Sequence, residues 1–327
     1  STYMVPPGGN TRERNRGRAV FGGGESPTAD NVMEYLNIQS GGRTFDFGDH
    51  SVTTPSGDAV ASSTRGVFTV HASPNTNALE FITIANTGNS QDFGDQTSGG
   101  VSQEGAASNS TRGLFAGGIF PGSQVHDVTE YITIATLGNA IDFGNLIATV
   151  TSNTGVADAT RALFAGGIGP GSPFPTVDRI EYFTIANTGN ATDFGDLTTP
   201  RNQLSACNDK IRGIWAGGRG PGHGGVNTMD YVTIQSTGNA VDFGDLSAQK
   251  TTPASCSSST RGIWNYDAGP VAEMKFVNIR STGNTTDFGD GHGAAEMNGG
   301  QSSSTRGVWA GNYAVSYTHL RAHETPE

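Results

Sequence analysis

Residues 111–118 read Thr-Arg-Gly-Leu-Phe-Ala-Gly-Gly, and this segment decides the fold because versions of it recur along the chain. Its aliphatic and aromatic centre is typical of a β-strand, and the closing glycine pair ends the strand. The arginine of this segment returns every 45–51 residues, at Arg18, Arg65, Arg112, Arg161, Arg212, Arg261 and Arg306. Such internal repetition indicates a repeat architecture, in which each unit packs mainly on its neighbours.

Two further motifs recur in a fixed order after the arginine. The first is an acidic–aromatic pair: Glu34-Tyr35, Glu80-Phe81, Glu130-Tyr131, Glu181-Tyr182 and Asp230-Tyr231, with Lys275-Phe276 in the sixth unit. The second is Asp-Phe-Gly-Asp or a close variant, which begins at Asp46, Asp92, Asp142, Asp193, Asp242 and Asp287. The sequence therefore contains six full units and the first part of a seventh.

The fourth unit shows how each unit divides into strands. It predicts strand a at 155–159, strand b at 161–165, strand c at 180–186 and strand d at 191–194. Gly189-Asn190 between strands c and d favours a tight hairpin, because both residues tolerate positive φ. A period near 48 residues with four strands predicts an all-β fold, a β-propeller of six or seven four-stranded antiparallel blades. We favour seven blades with an incomplete last one, while a β-helix or an array of β-sandwiches fits the period less well.

Composition excludes some partners. The net charge is −11 with only three lysines and no basic stripe, which argues against nucleic-acid binding. No apolar run is long enough to predict a membrane span. Cys207 and Cys256 occupy equivalent positions on strand a of adjacent blades, too far apart for a disulfide, so we expect two free, buried thiols.

The order of these elements resembles the kelch repeat. A glycine pair follows strand b, a tyrosine lies in strand c, and a phenylalanine takes the place of the kelch tryptophan. The matching residues are Gly117-Gly118, Gly166-Gly167 and Gly217-Gly218; Tyr131, Tyr182 and Tyr231; and Phe143, Phe194 and Phe243. Val70-His71 and Tyr266-Asp267 depart from the glycine pair. The Thr-Arg-Gly-x-Phe-Ala-Gly-Gly segments are also similar to repeats in virion or tail-associated proteins of marine phages, which implies a structural or receptor-binding role.

The two ends of the chain differ from the repeats. Residues 1–313 are expected to form a single propeller domain, and residues 314–327 a non-native or disordered tail. Residues 316–327 resemble a translated sequencing adapter, and a natural disordered tail is the alternative. Ser1 stands where an open reading frame would begin with Met, so the chain is expected to be a processed or excised piece.

Function is expected on one face of the ring. The a–b and c–d turns are short and uniform, whereas the b–c and d–a loops vary in length and content, and variable loops on a repeated scaffold build binding surfaces. Neutral drift of an exposed surface is the alternative. The candidate ligand-binding residues are Phe120, Phe174, Arg219, His223 and Tyr266.

These features favour a non-catalytic scaffold, extracellular or in a virion, that contacts protein or carbohydrate and uses no cofactor. A polysaccharide hydrolase or lyase on the same ring is the alternative. A third possibility is an assembly module whose rim pairs with other subunits of a larger particle.

The repeated charges invite a structural interpretation. We predict that Arg112, Arg161 and Arg212 form ion pairs with repeat aspartates such as Asp142, Asp193 and Asp242, one in every blade. A ring of carboxylates that binds cations is the alternative. His50 and His292 follow a Gly-Asp at equivalent points of the first and sixth units and are weak candidates for a shared cation site. Asp-Phe-Gly occurs six times without a phosphate-binding loop, so it does not indicate a kinase.

Overall fold

The chain is described here from a computed structural model, which covers residues 3–4, 17–24, 29–40, 42–55, 57–71, 76–97, 99, 101–120, 124–171, 175–251, 253–267, 272–290, 299–310 and 323–324. Those residues form strands, turns and loops, with no helix among them. The all-β prediction is therefore confirmed. Apart from residues 323–324, the predicted tail at 314–327 lies outside the described residues.

Six antiparallel sheets, mostly four-stranded, form the blades of a six-bladed β-propeller. The first half of the chain supplies β1 (Tyr3–Met4), β2 (Arg18–Gly24), β3 (Asp30–Asn37), β4 (Phe45–Asp49), β5 (Asp58–Ala61), β6 (Arg65–Thr69), β7 (Ala78–Thr83), β8 (Gln91–Asp95), β9 (Gly105–Ser108), β10 (Arg112–Ala116), β11 (Ile119–Phe120), β12 (Gln124–Val125), β13 (Val128–Thr133) and β14 (Ile141–Asn145). Strands β2–β4 form the first blade, β5–β8 the second, and β9, β10, β13 and β14 the third. Strand β1 pairs in parallel with β5, and β11 pairs with β12.

The second half of the chain repeats the same meander. It supplies β15 (Thr154–Ala157), β16 (Arg161–Ala165), β17 (Arg179–Thr184), β18 (Thr192–Asp196), β19 (Ser205–Asn208), β20 (Arg212–Ala216), β21 (Val226–Thr233), β22 (Val241–Lys250), β23 (Ala254–Ser257), β24 (Arg261–Asp267), β25 (Ala272–Asn278), β26 (Thr286–Asp290), β27 (Gly299–Ser302), β28 (Arg306–Ala310) and β29 (His323–Glu324). Each set of four from β15 to β26 is one blade. In the fourth blade, the four predicted strands are found within about two residues of their predicted bounds, an ordinary boundary error.

The seventh unit contributes only its first two strands within the described residues. Hairpin β27–β28 packs against the sixth blade through Trp309, which shares a buried cluster with Met274, and against the first blade through Val308, which packs with Leu36. It thus makes with each neighbour the face-to-face contacts that the blades make with one another. The protein therefore has six blades and a hairpin that lies between the last and the first, so the favoured count of seven blades is wrong and six is correct.

The core is a set of apolar layers between adjacent blades. Leu114 and Phe115 are consecutive on strand b and point to opposite faces, as neighbours on a strand must. Leu114 packs with Phe183 of the fourth blade, and Phe115 packs with Phe93 of the second. Because both faces of strand b are covered, its centre is apolar without alternation.

The inner strands a of successive blades contact one another. Side chains of strand a also face glycines on strand b of the next blade: a Cβ placed on Gly113 would lie 2.5 Å from Val60 Cγ2, and one on Gly262 would lie 2.5 Å from Cys207 Sγ. Both cysteines are free and buried, as predicted. A larger side chain on one blade is thus matched by a glycine on the next, so these blades keep the same sheet geometry although their side chains differ.

Candidate functional site

The repeated arginine joins each blade to the next. Arg112 Nη1 donates to the carbonyl oxygen of Ile185 in the following blade at 2.8 Å, and its guanidinium lies 4.6 Å from the ring centroid of Tyr131 in its own blade. Equivalent bonds run from Arg18, Arg65, Arg161, Arg212 and Arg306 to Ile84, Ile134, Ile234, Ile279 and Ile38. A cation over an aromatic face is attractive, and the hydrogen bond satisfies a carbonyl at the end of a strand.

The predicted ion pairs between repeat arginines and aspartates are wrong. None of Arg112, Arg161 and Arg212 forms an ion pair with a repeat aspartate such as Asp142, Asp193 or Asp242, and these three aspartates are exposed. Asp142 Oδ1 instead accepts a hydrogen bond from Gly144 N at 3.1 Å, and Asp242 does the same for Gly244 N at 3.2 Å. Strand c lies between the arginine on strand b and the aspartate on strand d, so the guanidinium meets the strand-c ring first.

Asp-Phe-Gly-Asp and Thr-Gly-Asn form the two halves of one contact between blades, which we call the latch. Gly189 N donates to Phe143 O of the preceding blade at 2.7 Å, and Asn190 Oδ1 accepts from Asn145 N at 3.1 Å. The same pair of bonds joins five successive blade pairs, from Phe47–Gly88 to Phe243–Gly283. The Gly-Asn segment does connect strands c and d, as predicted, and it also fastens each blade to the one before it.

The acid of the acidic–aromatic pair faces the preceding blade. Glu130 accepts from the backbone nitrogen of Thr97 at 3.1 Å, and Asp230 accepts from that of Thr198 at 3.2 Å, each donor lying just after strand d of the blade before. Asp230 also forms a fully buried ion pair with Arg201 at 2.8 Å. The repeated arginines and strand-c acids therefore hold blades together, whereas the exposed repeat aspartates bond within their own strand, and the residues that do not repeat are the candidates for a ligand site.

Residues that do not repeat are concentrated on what we call the loop face, formed by b–c loops such as 117–127, 166–178 and 217–225 and d–a loops such as 96–104, 146–153 and 197–204. In the third, fourth and fifth blades an antiparallel bridge to a d–a loop fixes the base of the b–c loop: Ile119 to Ser102, Ile168 to Thr151 and Arg219 to Asn202. Beyond these bridges the sequences diverge. Variable tips on a fixed base are the arrangement expected of a binding surface.

The structure separates the predicted ligand-binding residues. Phe120 is half-buried and stacks on His126, with 4.2 Å between ring centroids, so it packs within its own loop. Arg219 and His223 lie in one loop, with Arg219 half-buried and its Nε without a hydrogen-bond partner, and His223 exposed at the tip with φ of +65°. Phe174 and the side chain of Tyr266 lie outside the described residues.

The histidine pair does not form a site within the described part of the chain. His50 is buried and its Nδ1 lies 3.0 Å from Glu80 Oε2, while His292 lies outside the described residues. Burial would raise the pKa of Glu80, but hydrogen bonds from His50, Ser51 and Ser90 lower it to about 2. Among the residues described, no three His, Cys, Asp or Glu side chains are grouped to hold a metal ion.

A buried polar layer beneath the loop face was missed by the sequence analysis. The position after the Asp-Phe-Gly-Asp or Asp-Phe-Gly-Asn segment is Leu146, Leu197 and Leu246 in the third to fifth blades, but His50 and Gln96 in the first and second. Aligning the units position by position would have shown this exchange. We call the buried residues His50, His71, Glu80, Gln96 and Glu104, with the half-buried Asp58, the polar sector.

The polar sector contains unusual titrating groups. Gln96 Nε2 donates to Glu104 Oε2 at 3.0 Å, and burial, together with the charge of Asp58, raises the pKa of Glu104 well above its usual range. Burial raises the pKa of Asp58 to about 7. His71 is buried with no partner for either ring nitrogen, and burial lowers its pKa to about 4. These groups break the symmetry of the ring in its first three blades.

The fold defines the class of this protein, which is a six-bladed β-propeller. Comparison of the sequence with models of known protein families, and with curated proteins, found no match. In the described part of the chain there is no helix capable of spanning a membrane.

Proposed function

We propose that this protein is a non-catalytic binding scaffold that contacts protein or carbohydrate through its loop face. The observation that carries the proposal is that repeated and variable residues have different places in the structure. The repeated arginines other than Arg261, the strand-c acids other than Glu34, and the latch residues are engaged between blades, whereas the residues that differ between units lie on the loop face. Such a division supports a scaffold that presents one face to a partner.

The loop of the fifth blade has the chemistry for this contact. Arg219 and His223 are planar groups with N–H donors, set among glycines at 217–225 on a chain that is otherwise acidic. Donors of this shape suit carboxylates and the hydroxyls of sugars. The loop therefore favours an acidic or hydroxyl-rich partner, such as a polysaccharide or a carboxylate-bearing protein surface.

We propose an extracellular or virion setting on the basis of the resemblance of the repeat. Similarity to kelch repeats and to phage virion or tail repeats supports a component of an extracellular particle that either binds a receptor or joins other structural subunits. A partner in that setting is a host-surface glycan or protein.

A polysaccharide hydrolase is the second candidate, and one observation favours it. Glu104 is a carboxyl whose pKa burial raises well above its usual range, which is the property of a general acid in glycoside hydrolysis. Its exposed fraction is only 6%, however, and it lies beneath the loop face against Gln96. Because a substrate could not reach so enclosed a carboxyl group, the burial of Glu104 supports the binding scaffold rather than the hydrolase.

A glycan array and a hydrolysis assay on the same glycans separate these two functions. We expect retention of a glycan or protein ligand, loss of that retention in the double variant Arg219→Ala and His223→Ala, and no loss in Leu137→Ala, whose side chain is 54% exposed at a c–d turn on the other face. Equal binding by the double variant would contradict the loop-face assignment. Glycan cleavage that Glu104→Gln abolishes in a folded protein would favour the enzyme.

A further inference from the structure

Two acids of the polar sector meet at the interface between the second and third blades. Asp58 begins strand a of the second blade, and Glu104 immediately precedes strand a of the third. At the next interface along the chain, a Cβ on Gly105 would lie 2.7 Å from Asn153 Oδ1. Asp58 holds the position of Gly105 one unit earlier, and Glu104 holds that of Asn153. The same register therefore brings the two carboxyl groups close together, and the charge of Asp58 acts on Glu104.

The charges of this acid pair are not balanced by the residues around it. No ion pair formed within the described part of the chain includes Asp58 or Glu104. Burial raises the pKa of both carboxyl groups, and the charges of Asp58 and Glu130 raise that of Glu104 further. The α-amino group of the chain lowers the pKa of Asp58, but burial has the larger effect. The interface therefore contains a negative centre that favours a positive charge beside it.

A buried amide oxygen lies at the same place. Gln96 is 2% exposed, and its Nε2 donates to Glu104 Oε1 at 3.1 Å and to Glu104 Oε2 at 3.0 Å. Its Oε1 belongs to the same amide group, beside the carboxyl group of Glu104, and accepts no hydrogen bond from any described residue. A buried acceptor without a partner is unfavourable, so a ligand that binds this oxygen would stabilise the native state.

We propose that Asp58, Gln96 and Glu104 form a calcium site that joins the second blade to the third. Two carboxylates and an amide carbonyl are oxygen ligands of the kind that Ca²⁺ prefers, and backbone carbonyls or water complete its set of about six to eight. The amide supplies the third side-chain ligand, which the two acids alone do not provide. Ca²⁺ accepts an irregular set of ligands spread over two blades, whereas Mg²⁺ demands a near-ideal octahedron. A set without thiolate or imidazole does not favour zinc or copper.

The position of these residues suits a single ion better than a larger ligand. Glu104 is 6% exposed, so only a small group can be enclosed beside its carboxyl group. Gln96 and Glu104 are the two ends of the d–a loop 96–104, and Asp58 lies in the neighbouring strand β5. An ion bound to all three side chains would hold both ends of this loop against the second blade. The site is separate from the partner contact of the loop face and does not depend on it.

Calcium binding by the full chain tests the proposal. The protein is first dialysed against a calcium chelator, and equilibrium dialysis with radioactive calcium then measures binding of the ion alone. We expect one ion per chain with a Kd on the order of 10⁻⁴–10⁻³ M, because two carboxylates are a small number of charged ligands. The melting temperature should rise in about 10 mM Ca²⁺ and fall back when excess chelator is added. Absence of saturable binding would overturn the proposal.

Substitutions that the chain itself uses at equivalent positions locate the ion. Gln96→Leu and Glu104→Asn reproduce the next interface, which has Leu146 and Asn153 at these positions, so both variants should fold. Each should weaken calcium binding at least about tenfold. Asp142→Asn is the control, because it removes an exposed carboxylate on strand d and should leave binding unchanged. Unchanged binding in either site variant, or loss of binding in the control, would place the ion elsewhere and refute the site.

Thermal unfolding of Glu104→Asn gives a result that a purely structural role of Glu104 would not produce. Without calcium, this variant should melt at a higher temperature than the wild type, because it loses the repulsion between Glu104 and Asp58. With calcium, the order should reverse, because only the wild type is stabilised by the ion. The same order under both conditions would contradict the site. Stabilisation of the wild type by Mg²⁺ as large as that by Ca²⁺ would overturn the choice of ion.

Discussion

Gly144 and Gly189 show what a single residue contributes to this fold. Gly144 has φ of +139°, a region that side chains rarely enter, and the carbonyl carbon of Gly189 would lie 2.5 Å from a Cβ at that position. Two separate constraints, conformation and space, therefore require glycine at the same place. In each latch, the glycine of Asp-Phe-Gly is required both by the backbone conformation of its own strand and by the close contact with the next blade.

Replacement of Gly144 by alanine should lower the free energy of unfolding by about 1–3 kcal/mol, because the new Cβ is strained and collides with the latch. Gly66→Ala is the matched control: its Cβ would lie 3.4 Å from Ile82, and Ala162 holds the equivalent position in the fourth blade. We expect a change within about 0.5 kcal/mol for the control. Denaturant titration measures both, and equal effects would contradict the latch.

His71 should make the protein sensitive to mild acid. Its pKa is lowered from 6.5 to about 4, so between these values the unfolded chain takes up a proton that the folded chain refuses. The stability that His71 contributes is present above pH 6.5 and is lost as the pH falls towards 4, by up to about 3 kcal/mol. His71→Leu should remove this loss.

The comparison of wild type with His71→Leu isolates this residue. Asp58 acts in the opposite sense: its pKa is raised to about 7, so its contribution is lost as the pH rises, but it is present in both proteins and cancels. Denaturant unfolding at about pH 7 and about pH 4 gives the difference. The same pH dependence in both proteins would show that His71 is protonated freely in the native state.

At the scale of the strand, the order of strands decides which side chains meet. Strand β13 separates β10 from β14, so Arg112 reaches Tyr131 and the carbonyl of Ile185 rather than Asp142. Asp142 then binds the backbone of its own strand. The recurrence of Arg and Asp in every unit reflects two independent roles.

A double-mutant cycle tests this separation. Arg112→Met should lower the free energy of unfolding by about 1–2 kcal/mol through loss of the hydrogen bond and the ring contact. Asp142→Asn keeps an acceptor for Gly144 N and should change it by less than about 0.5 kcal/mol. The two effects should add. A coupling energy of about 1 kcal/mol or more between the two substitutions would indicate that Arg112 and Asp142 form an ion pair after all. Circular dichroism checks that all three variants fold.

Local pattern predicted the strands well, and contacts between units poorly. Arg161–Ala165 is found at its predicted bounds because its glycine pair and its apolar centre are local signals. The bond from Gly189 to Phe143 joins residues 46 positions apart, and no local signal announces it. The second unit has Gln96 where the third has Leu146, and this difference becomes visible only when equivalent positions of the units are compared.

At the scale of the molecule, hairpin β27–β28 is joined on its outer edge, among the described residues, only by the two-residue strand β29, so the described part of the chain supports it less than the four strands of a complete blade support one another. Cys256 packs against Gly307 of this hairpin, whereas Cys207 packs against Gly262 of a complete blade. The two thiols are equivalent in sequence position and differ in what covers them. The reactivity of Cys256 compared with that of Cys207 therefore measures how often the hairpin opens compared with a complete blade.

Under native conditions a thiol reagent should label Cys256 faster than Cys207. Both are buried, and burial raises the pKa of the Cys256 thiol, so reaction requires local opening. Single variants Cys207→Ser and Cys256→Ser assign the two signals. Equal labelling rates, or faster labelling of Cys207, would show that the hairpin is held as firmly as a full blade.

The latch also bears on how such a ring changes over generations. Because the second to sixth units carry one half at a Gly-Asn turn and the first to sixth carry the other at an Asp-Phe-Gly segment, each of the second to sixth units has the residues to fit behind any of the first six. Duplication or deletion of one entire unit preserves all remaining junctions, whereas an altered half demands a compensating alteration some four dozen residues away. The number of repeat units can therefore change readily in this architecture, whereas the two halves of a latch must change together.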